Sequence, residues 1–416
     1  MVTYITWAAM LFSTLIRAQD TLSLTMRQAD SLFMQRNLLA LAGHYQIEAA
    51  QALVIQARLL DNPIINAELN AYNPAVGRPL DIGSRGQKAF SIQQTILLAG
   101  KRNKRIAVAT EQARLTELQF TDLLRILRFE LRSHFNETYF TQKTLREYAL
   151  QLGRLTETVQ SVERHNSGNN LVERESVLLK TLLLQLSTNQ LDLQNQLIGQ
   201  QRELRTLLQN KAFVSPVLTD GDLSRFDVPL PSLEQAARLA LDNRPDWLGT
   251  EVAVQQADAN LTLQKALATP DLRIGGFYDQ NASYTTHYTA LTLSIDLPLL
   301  NKNQGYIRSA RAQADYQRQL SQNARTVVEN EVLAALQQIQ QTKAAYRLIA
   351  PGFSARFDRV NEEVLRSYEQ NDLSVIELAS HFETYLEHTQ LHNRLKASYI
   401  NAYEQLCFLV GTNLFK

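Results

Sequence analysis

Three histidines near the C-terminal end have the spacing most suggestive of chemistry. His388 and His392 lie four apart, and His381 stands one heptad before His388, so on a helix all three share a face that can hold a metal ion. No third ligand type accompanies them at motif spacing, and the expectation is solvated or seam histidines with no metal site. Gly100-Lys101 lacks the preceding glycine of a phosphate loop, and there is no His-Glu-x-x-His and no nucleophile elbow. Glu163 and Glu173 flank a turn instead of a cleft, which leaves paired-carboxylate catalysis little support. The residues argue against an enzyme and call for no cofactor.

The elements that would carry these residues are few and long. The 416 residues include only 15 Gly and 10 Pro, too little turn material for several compact cores. Lys plus Arg number 42 and Asp plus Glu 41, a net charge of +1 spread along the chain, which excludes a nucleic-acid footprint. The apolar run Ile5 to Ile16, ending in Ile16-Arg17-Ala18, suits a secretory signal spanning 1–18, although no Lys or Arg precedes it; a buried amphipathic start is the alternative. There is no Cys at the cleavage point for lipid attachment, and the single Cys407 excludes an internal disulfide. No later stretch approaches 18 consecutive apolar residues, so no spanning helix is expected.

In chain order, helical spacing runs from Leu24 to Leu60 and stops at Asp61-Asn62-Pro63. A strand at about 63–73 alternates Ile65, Ala67, Leu69 and Ala71 with Asn66, Glu68, Asn70 and Tyr72; a Pro- and Gly-bearing loop leads to a second strand at about 87–98. From Asn103 to Asn166 no proline intervenes, and a helix of that length would be on the order of 90 to 100 Å long. Its seam is Leu145, Tyr148, Leu152, Leu155, Val159 and Val162. Ser167 to Asn170 turns it into an antiparallel helix running to about Gln209, and an irregular connector occupies 214–231. The order then repeats over 232–416 after a first copy over 19–213. Ser232 caps a helix to Ala268 with a break near Arg244-Pro245, strands follow at about 270–279 and 287–299, and a long helix is broken at Pro351-Gly352. A turn at Glu369 to Asp372 precedes the last helix, Leu373 to about Val410. Ile106, Ala109, Gln112 and Ala113 match Ile307, Ala310, Gln313 and Ala314, and Gly168-Asn169-Asn170-Leu171 matches Gln370-Asn371-Asp372-Leu373, so the chain reads as an internal duplication.

Each strand is long enough to cross the hydrocarbon of a bilayer when tilted, roughly nine to eleven residues, with one apolar and one small or polar face. Lipid leaves no backbone group unpaired, so four strands could sit there only if several copies closed a barrel. The strands alone equally suit an antiparallel sheet packed on helices in a soluble protein.

The order of elements, the segment Ile96-Leu97-Leu98-Ala99-Gly100-Lys101-Arg102, its echo Leu297-Pro298-Leu299-Leu300-Asn301-Lys302 and the closing Leu409-Val410-Gly411 together resemble the TolC family of outer-membrane efflux proteins. The resemblance covers nearly the whole mature chain. It implies an α+β membrane protein whose four transmembrane β-strands per protomer join a trimeric twelve-stranded barrel, continued by an α-helical coiled-coil barrel in the periplasm. The implied partners are two sister subunits, outer-membrane lipid, a periplasmic adaptor (membrane fusion) protein and an inner-membrane pump of the RND or ABC type. The implied function is passive export in tripartite efflux or type I secretion. By the same resemblance the adaptor-docking tips are Gly168, Asn169, Asn170 and Leu171 with Gln370, Asn371, Asp372 and Leu373, and the periplasmic gate candidates are Arg366, Tyr368, Glu369, Asp372 and Glu377. Val375 and Leu378 stand where some members place aspartates, and Glu369 and Asp372 also suit a plain turn and helix cap. A soluble periplasmic coiled-coil scaffold or adaptor is the alternative.

Overall fold

The computed structural model describes residues 20–84, 86–164, 170–219, 222, 225–226, 228–348, 352–370 and 372–415. The signal segment 1–18, Gly168, Asn169, Pro351 and Asn371 lie outside the described residues. The chain divides into two compact units, one made of the described parts of Met1–Leu41, Leu123–Arg244 and Val328–Lys416, the other of Ala42–Asp122 and Pro245–Val327.

The described residues begin with strand β1 (Thr21–Thr25) and helices α1 (Met26–Arg36) and α2 (Leu38–Arg58), where periodicity suggests one helix from Leu24. Two local devices make the difference. Thr25 and Gln28 form a reciprocal capping box that starts α1 at Met26. Asn37 breaks the run: its Oδ1 accepts from the Ala40 amide at 3.0 Å while its Nδ2 donates to the Leu207 carbonyl at 3.0 Å. Among the described residues α2 alone is long and apolar enough to cross a bilayer by length and composition, although His44, Gln46, Glu48 and Gln51 interrupt its apolar run.

Then come β2 (Ile64–Leu69), a two-residue pair β3 (Tyr72–Asn73) and β4 (Arg78–Pro79), β5 (Lys88–Ile96), α3 (Lys101–Arg164) and α4 (Asn170–Leu208). β2 ends earlier than the expected strand to residue 73, because Asn70 and the loop to Gln87 turn the chain into the β3–β4 pair. The strand-to-helix change after β5 uses two left-handed residues, Ala99 (φ 54) and Gly100 (φ 65). The rest is β6 (Phe213–Val217), α5 (Leu233–Asn243), α6 (Pro245–Leu267), β7 (Leu272–Asn281), β8 (Thr286–Ile295), α7 (Gln304–Arg347), α8 (Phe353–Glu369) and α9 (Val375–Val410).

Among the described residues the first unit shows these two apolar clusters. In one, Tyr148, Leu152, Leu155 and Val159 of α3 meet Leu179, Leu182 and Leu186 of α4 and Val375, Leu378 and Phe382 of α9. These are positions stepping by three and four, so each helix turns one apolar stripe inward. In the other, Phe33 of α1, Leu131 and Phe135 of α3 and Leu204 and Leu208 of α4 surround Val214 of β6. β6 lies in what the sequence suggested was an irregular connector. It pairs in parallel with β1, and the Gln201 side chain supplies a second set of partners, accepting from the Val214 amide at 2.9 Å and donating to its carbonyl at 2.7 Å.

The second unit is built on one antiparallel sheet, order β2-β5-β7-β8. Gly275 and Gly276, which interrupt the strand pattern of β7, both lie within it, and a Cβ at Gly275 would come within 2.4 Å of the Ile92 carbonyl oxygen and 2.7 Å of Thr292 Oγ1. The glycine therefore allows close strand approach. Helix α2 packs on α3 just as closely, since a Cβ on Gly43 would lie 2.4 Å from the Phe120 ring.

Candidate functional site

The register of the four strands decides what each face of the sheet offers. Ile65 pairs with Ile92, Ile92 with Gly276, and Gly276 with Leu291; one row along, Gln94 pairs with Ile274 and Ile274 with Leu293; at the end Ile96 pairs with Leu272 and Leu272 with Ile295. Opposed residues share a face, so Ile65, Phe90, Ile92, Ile96, Ile274, Leu291, Leu293 and Ile295 form one apolar surface. All eight are exposed, Leu291 at 92% and Leu293 at 72%. The opposite face carries Asn66, Glu68, Ser91, Gln93, Thr95, Arg273, Thr292 and Ser294, among which Asn66 donates to Ser91 Oγ at 3.3 Å. β2 and β8 are the ends of the strand order, and among the described residues each leaves one edge of backbone groups without a strand neighbour.

An ion pair secures the base of the sheet. Lys101, 2% exposed at the first residue of α3, lies 2.7 Å from Asp271, whose Oδ1 also accepts from the Leu98 amide at 3.0 Å. The two strand–helix junctions are thereby tied together by a charge-assisted contact that no local pattern announces, its partners being 170 positions apart.

In the first unit, the five gate candidates lie at the end of α8, at the start of α9 and between them. Arg366, Glu369 and Asp372 are exposed, while Tyr368 is half-buried against the helical core with its hydroxyl pKa raised by burial and by Glu175. Arg366 and Tyr368 also give carbonyls to the Gln370 amide, and the Asp372 amide donates to the Ser367 carbonyl at 2.9 Å. The cap of α9 is Ser374, so Asp372 is a turn residue and not the helix cap. Glu377 completes the capping box: its Oε2 accepts from the Ser374 amide and hydroxyl, both at 2.8 Å. Those bonds hold its carboxyl below the ordinary value. Arg366, Tyr368 and Glu369 thus lie in the last turn of α8, Asp372 between the helices and Glu377 in the first turn of α9. Of the docking tips, Asn170 and Leu171 open α4, Gln370 ends α8 and Leu373 precedes the cap of α9.

The histidines lie along α9. His381 bonds Asn361 of α8 at 2.9 Å, His388 packs on the Phe357 ring at 4.4 Å, and the His388 and His392 rings are 5.8 Å apart. Among the described residues no group of three His, Cys, Asp or Glu side chains is placed to hold a metal ion.

A polar seam joins α9 to α3, and periodicity gave no sign of it. Asn136 donates to Asn401 at 3.1 Å, Asn393 to Thr144 at 3.0 Å and Tyr148 to Gln390 at 3.1 Å. At its far end Glu404, 4% exposed, accepts from Arg132 at 3.1 Å and from Arg225, while Arg132 also reaches Asp30 at 2.9 Å. Burial opposes the charge on Arg132, but Glu404 and Asp30 outweigh it and push its pKa up. Toward the turn, Arg154 of α3 pairs with Glu362 of α8 at 2.8 Å.

No protein-family profile matches the chain, and no curated protein matches its sequence. Solved structures do. The open state of the Neisseria gonorrhoeae MtrE outer membrane channel aligns at TM-score 0.72 and 15% identity, over 94% of this chain and 89% of that one. The outer membrane protein VceC of Vibrio cholerae aligns at 0.72 and 14%, over 94% of this chain and 97% of its own. CusC, described for the conformational changes that accompany folding and transmembrane channel formation, aligns at 0.73 and 14%, over 93% and 92%. Likeness at such identity is likeness of fold: this chain has the fold of the outer-membrane channel proteins, the fold implied by its resemblance to the TolC family.

Proposed function

We propose that the chain is one subunit of an outer-membrane export duct, a passive channel of a tripartite efflux or type I secretion system that carries solutes across the outer membrane and periplasm. The observation that carries this reading is the four-stranded sheet with an exposed apolar face, a polar face and two open edges. In water such a surface invites aggregation; in lipid it is what a barrel wall presents outward, provided sister copies pair the edges. Three copies would give twelve strands and a polar lumen, the barrel implied by the resemblance to the TolC family.

Helix α4 supports self-association independently. Its buried stripe, Leu179, Leu182, Leu186 and Leu193, faces the helical core, while Val177, Leu184, Leu191 and Ile198 recur every seventh residue on the other side and are exposed. A strict seven-residue apolar repeat is the signature of a supercoiled seam, and a ring of sister helices would cover it.

In this reading the two halves, each with paired strands and a long helical hairpin, are diverged copies of one unit. The turn bearing Arg366, Tyr368, Glu369, Asp372 and Glu377 forms the periplasmic gate, opened by splaying of the α8–α9 pair. Residues 168–171 and 370–373 receive a periplasmic adaptor, and an inner-membrane pump of the RND or ABC type supplies the energy. The test is purification in detergent, electrophoresis of unheated and boiled samples, and conductance in planar bilayers. A heat-sensitive trimer band and discrete conductance steps are expected. A monomer that stays dissolved in plain buffer and ignores vesicles would refute the channel and favour a soluble periplasmic scaffold.

A further inference from the structure

The polar face of the β2-β5-β7-β8 sheet is small and neutral over much of its length, with Ser91, Gln93, Gly275, Thr292 and Ser294, but it changes character at the end away from the helices. There Glu68 of β2, Ala89 of β5, Asp279 of β7 and Tyr288 of β8 stand in one row of paired residues. Phe277 lies one row along on the same face and meets the Tyr288 ring edge-on at a centroid distance of 6.4 Å. Tyr284, in the connection between β7 and β8, meets the Tyr288 ring at 5.3 Å and is 75% exposed.

This patch does not read as a device for holding the sheet. Aromatic residues that anchor a barrel in lipid stand on its outward, apolar side, whereas Phe277 and Tyr288 stand with the polar set. The Asp279 carboxylate is positioned without being neutralised, since its Oδ1 accepts from the uncharged Gln87 side chain at 2.6 Å and from the Asn281 amide at 3.0 Å. The four strands hold two Lys or Arg residues, and neither shares the patch. Lys88 pairs with Leu69 on the apolar face, and Arg273, at the other end of β7, lies 2.7 Å from Asp296.

Two carboxylates in one row, beside three rings in mutual contact, match one ligand chemistry. A ring face attracts a cation within about 6 Å of its centroid, and quaternary ammonium ions are the ligands that aromatic cages take best. The carboxylates add the longer-range pull and repel anions. We propose that this patch is a binding site for organic ammonium ions, with Glu68 and Asp279 drawing the charge and Phe277, Tyr284 and Tyr288 taking the alkylated or aromatic body. For its role in transport the inference rests on the export-duct reading, in which the polar face lines the lumen and three copies repeat the patch around the outer mouth. The site itself is complete within one subunit.

The test is binding of benzyltrimethylammonium to the protein in dodecyl maltoside, followed by saturation-transfer NMR, with benzenesulfonate as an anion on the same ring. The cation should bind and the sulfonate should not. Tyr288→Leu, which keeps both carboxylates, should weaken binding about two- to fivefold, while Tyr288→Phe, which keeps a ring, should retain most of it. Glu68→Gln should weaken binding and make what remains less sensitive to salt. Equal binding of the two ions, or a cation affinity unchanged in either Tyr288→Leu or Glu68→Gln, would overturn the site. The two readings fail separately: a protein that binds the cation but forms no trimer and passes no current refutes the duct and keeps the site, and a conducting trimer indifferent to the cation does the reverse.

Discussion

Leu291 offers the sharpest test of where the sheet lives. It stands in the central row Ile65–Ile92–Gly276–Leu291, is 92% exposed in the subunit, and touches little within it. On a water-facing sheet, Leu291→Lys would remove an exposed apolar side chain and leave stability within about 0.5 kcal/mol. On a lipid-facing wall near the midplane, lysine costs about 2–4 kcal/mol per subunit. That is a factor of about 30 to 900, and over three copies of one barrel it approaches the whole stability of an ordinary domain, about 5–15 kcal/mol. Gln93→Lys is the paired control: it lies on the opposite face, beside Gly275, and a charge facing a wet lumen should be tolerated. The assay is folding from urea into dilauroyl phosphatidylcholine vesicles, scored by the heat-sensitive shift in gel mobility. Leu291→Lys should lose most folded material at urea concentrations where wild type and Gln93→Lys still fold. Equal behaviour of the two variants, or a soluble and stable Leu291→Lys protein, would refute the lipid-facing assignment.

Three further outcomes follow from the packing. Glu404→Gln leaves the Arg132 and Arg225 guanidiniums facing each other without their shared carboxylate and should cost about 3–5 kcal/mol, read as a lowered thermal midpoint. Gly43→Ala forces a Cβ into the Phe120 ring and should cost about 1–3 kcal/mol, with much of the loss recovered in a Gly43→Ala/Phe120→Ala double variant. Ser374→Ala removes the cap of α9 at about 1 kcal/mol; because hydrogen bonds to Ser374 hold Glu377 below its ordinary 4.5, the capping contribution is full above that pH and lost as pH falls below it, seen as faster exchange at 375–380 that Glu377→Gln abolishes.

What the sequence made legible was whatever repeats locally. Tyr148, Leu152, Leu155 and Val159 step by three and four, and Val375, Leu378 and Phe382 answer them from α9, so one stripe of each helix could be read without knowing its neighbour. The alternation of Leu291, Leu293 and Ile295 with Thr292 and Ser294 likewise separated the two faces of β8. Where the structure departs from those readings, a single polar side chain or a distant pairing decides. Asn37 breaks a helix that periodicity would continue, because its side chain offers α2 a better start than the next helical turn could. β1 and β6 are five residues each and pair across nearly two hundred positions, so neither carries enough alternation to announce itself. The polar seam of α3 with α9 was hidden for the same reason. Thr144 and Asn393 look like solvated positions on either helix alone, and only their opposition turns them into a buried hydrogen bond. An apolar seam there would resist parting, since each exposed side chain would meet water at a cost. A hydrogen-bonded one exchanges its partners for water at little net loss, about 0.5–1.5 kcal/mol per bond. The stretch of α9 from Gln390 to Asn401 is therefore held to α3 by contacts cheaper to replace than those of Leu378 and Phe382, which join α9 to the helical core.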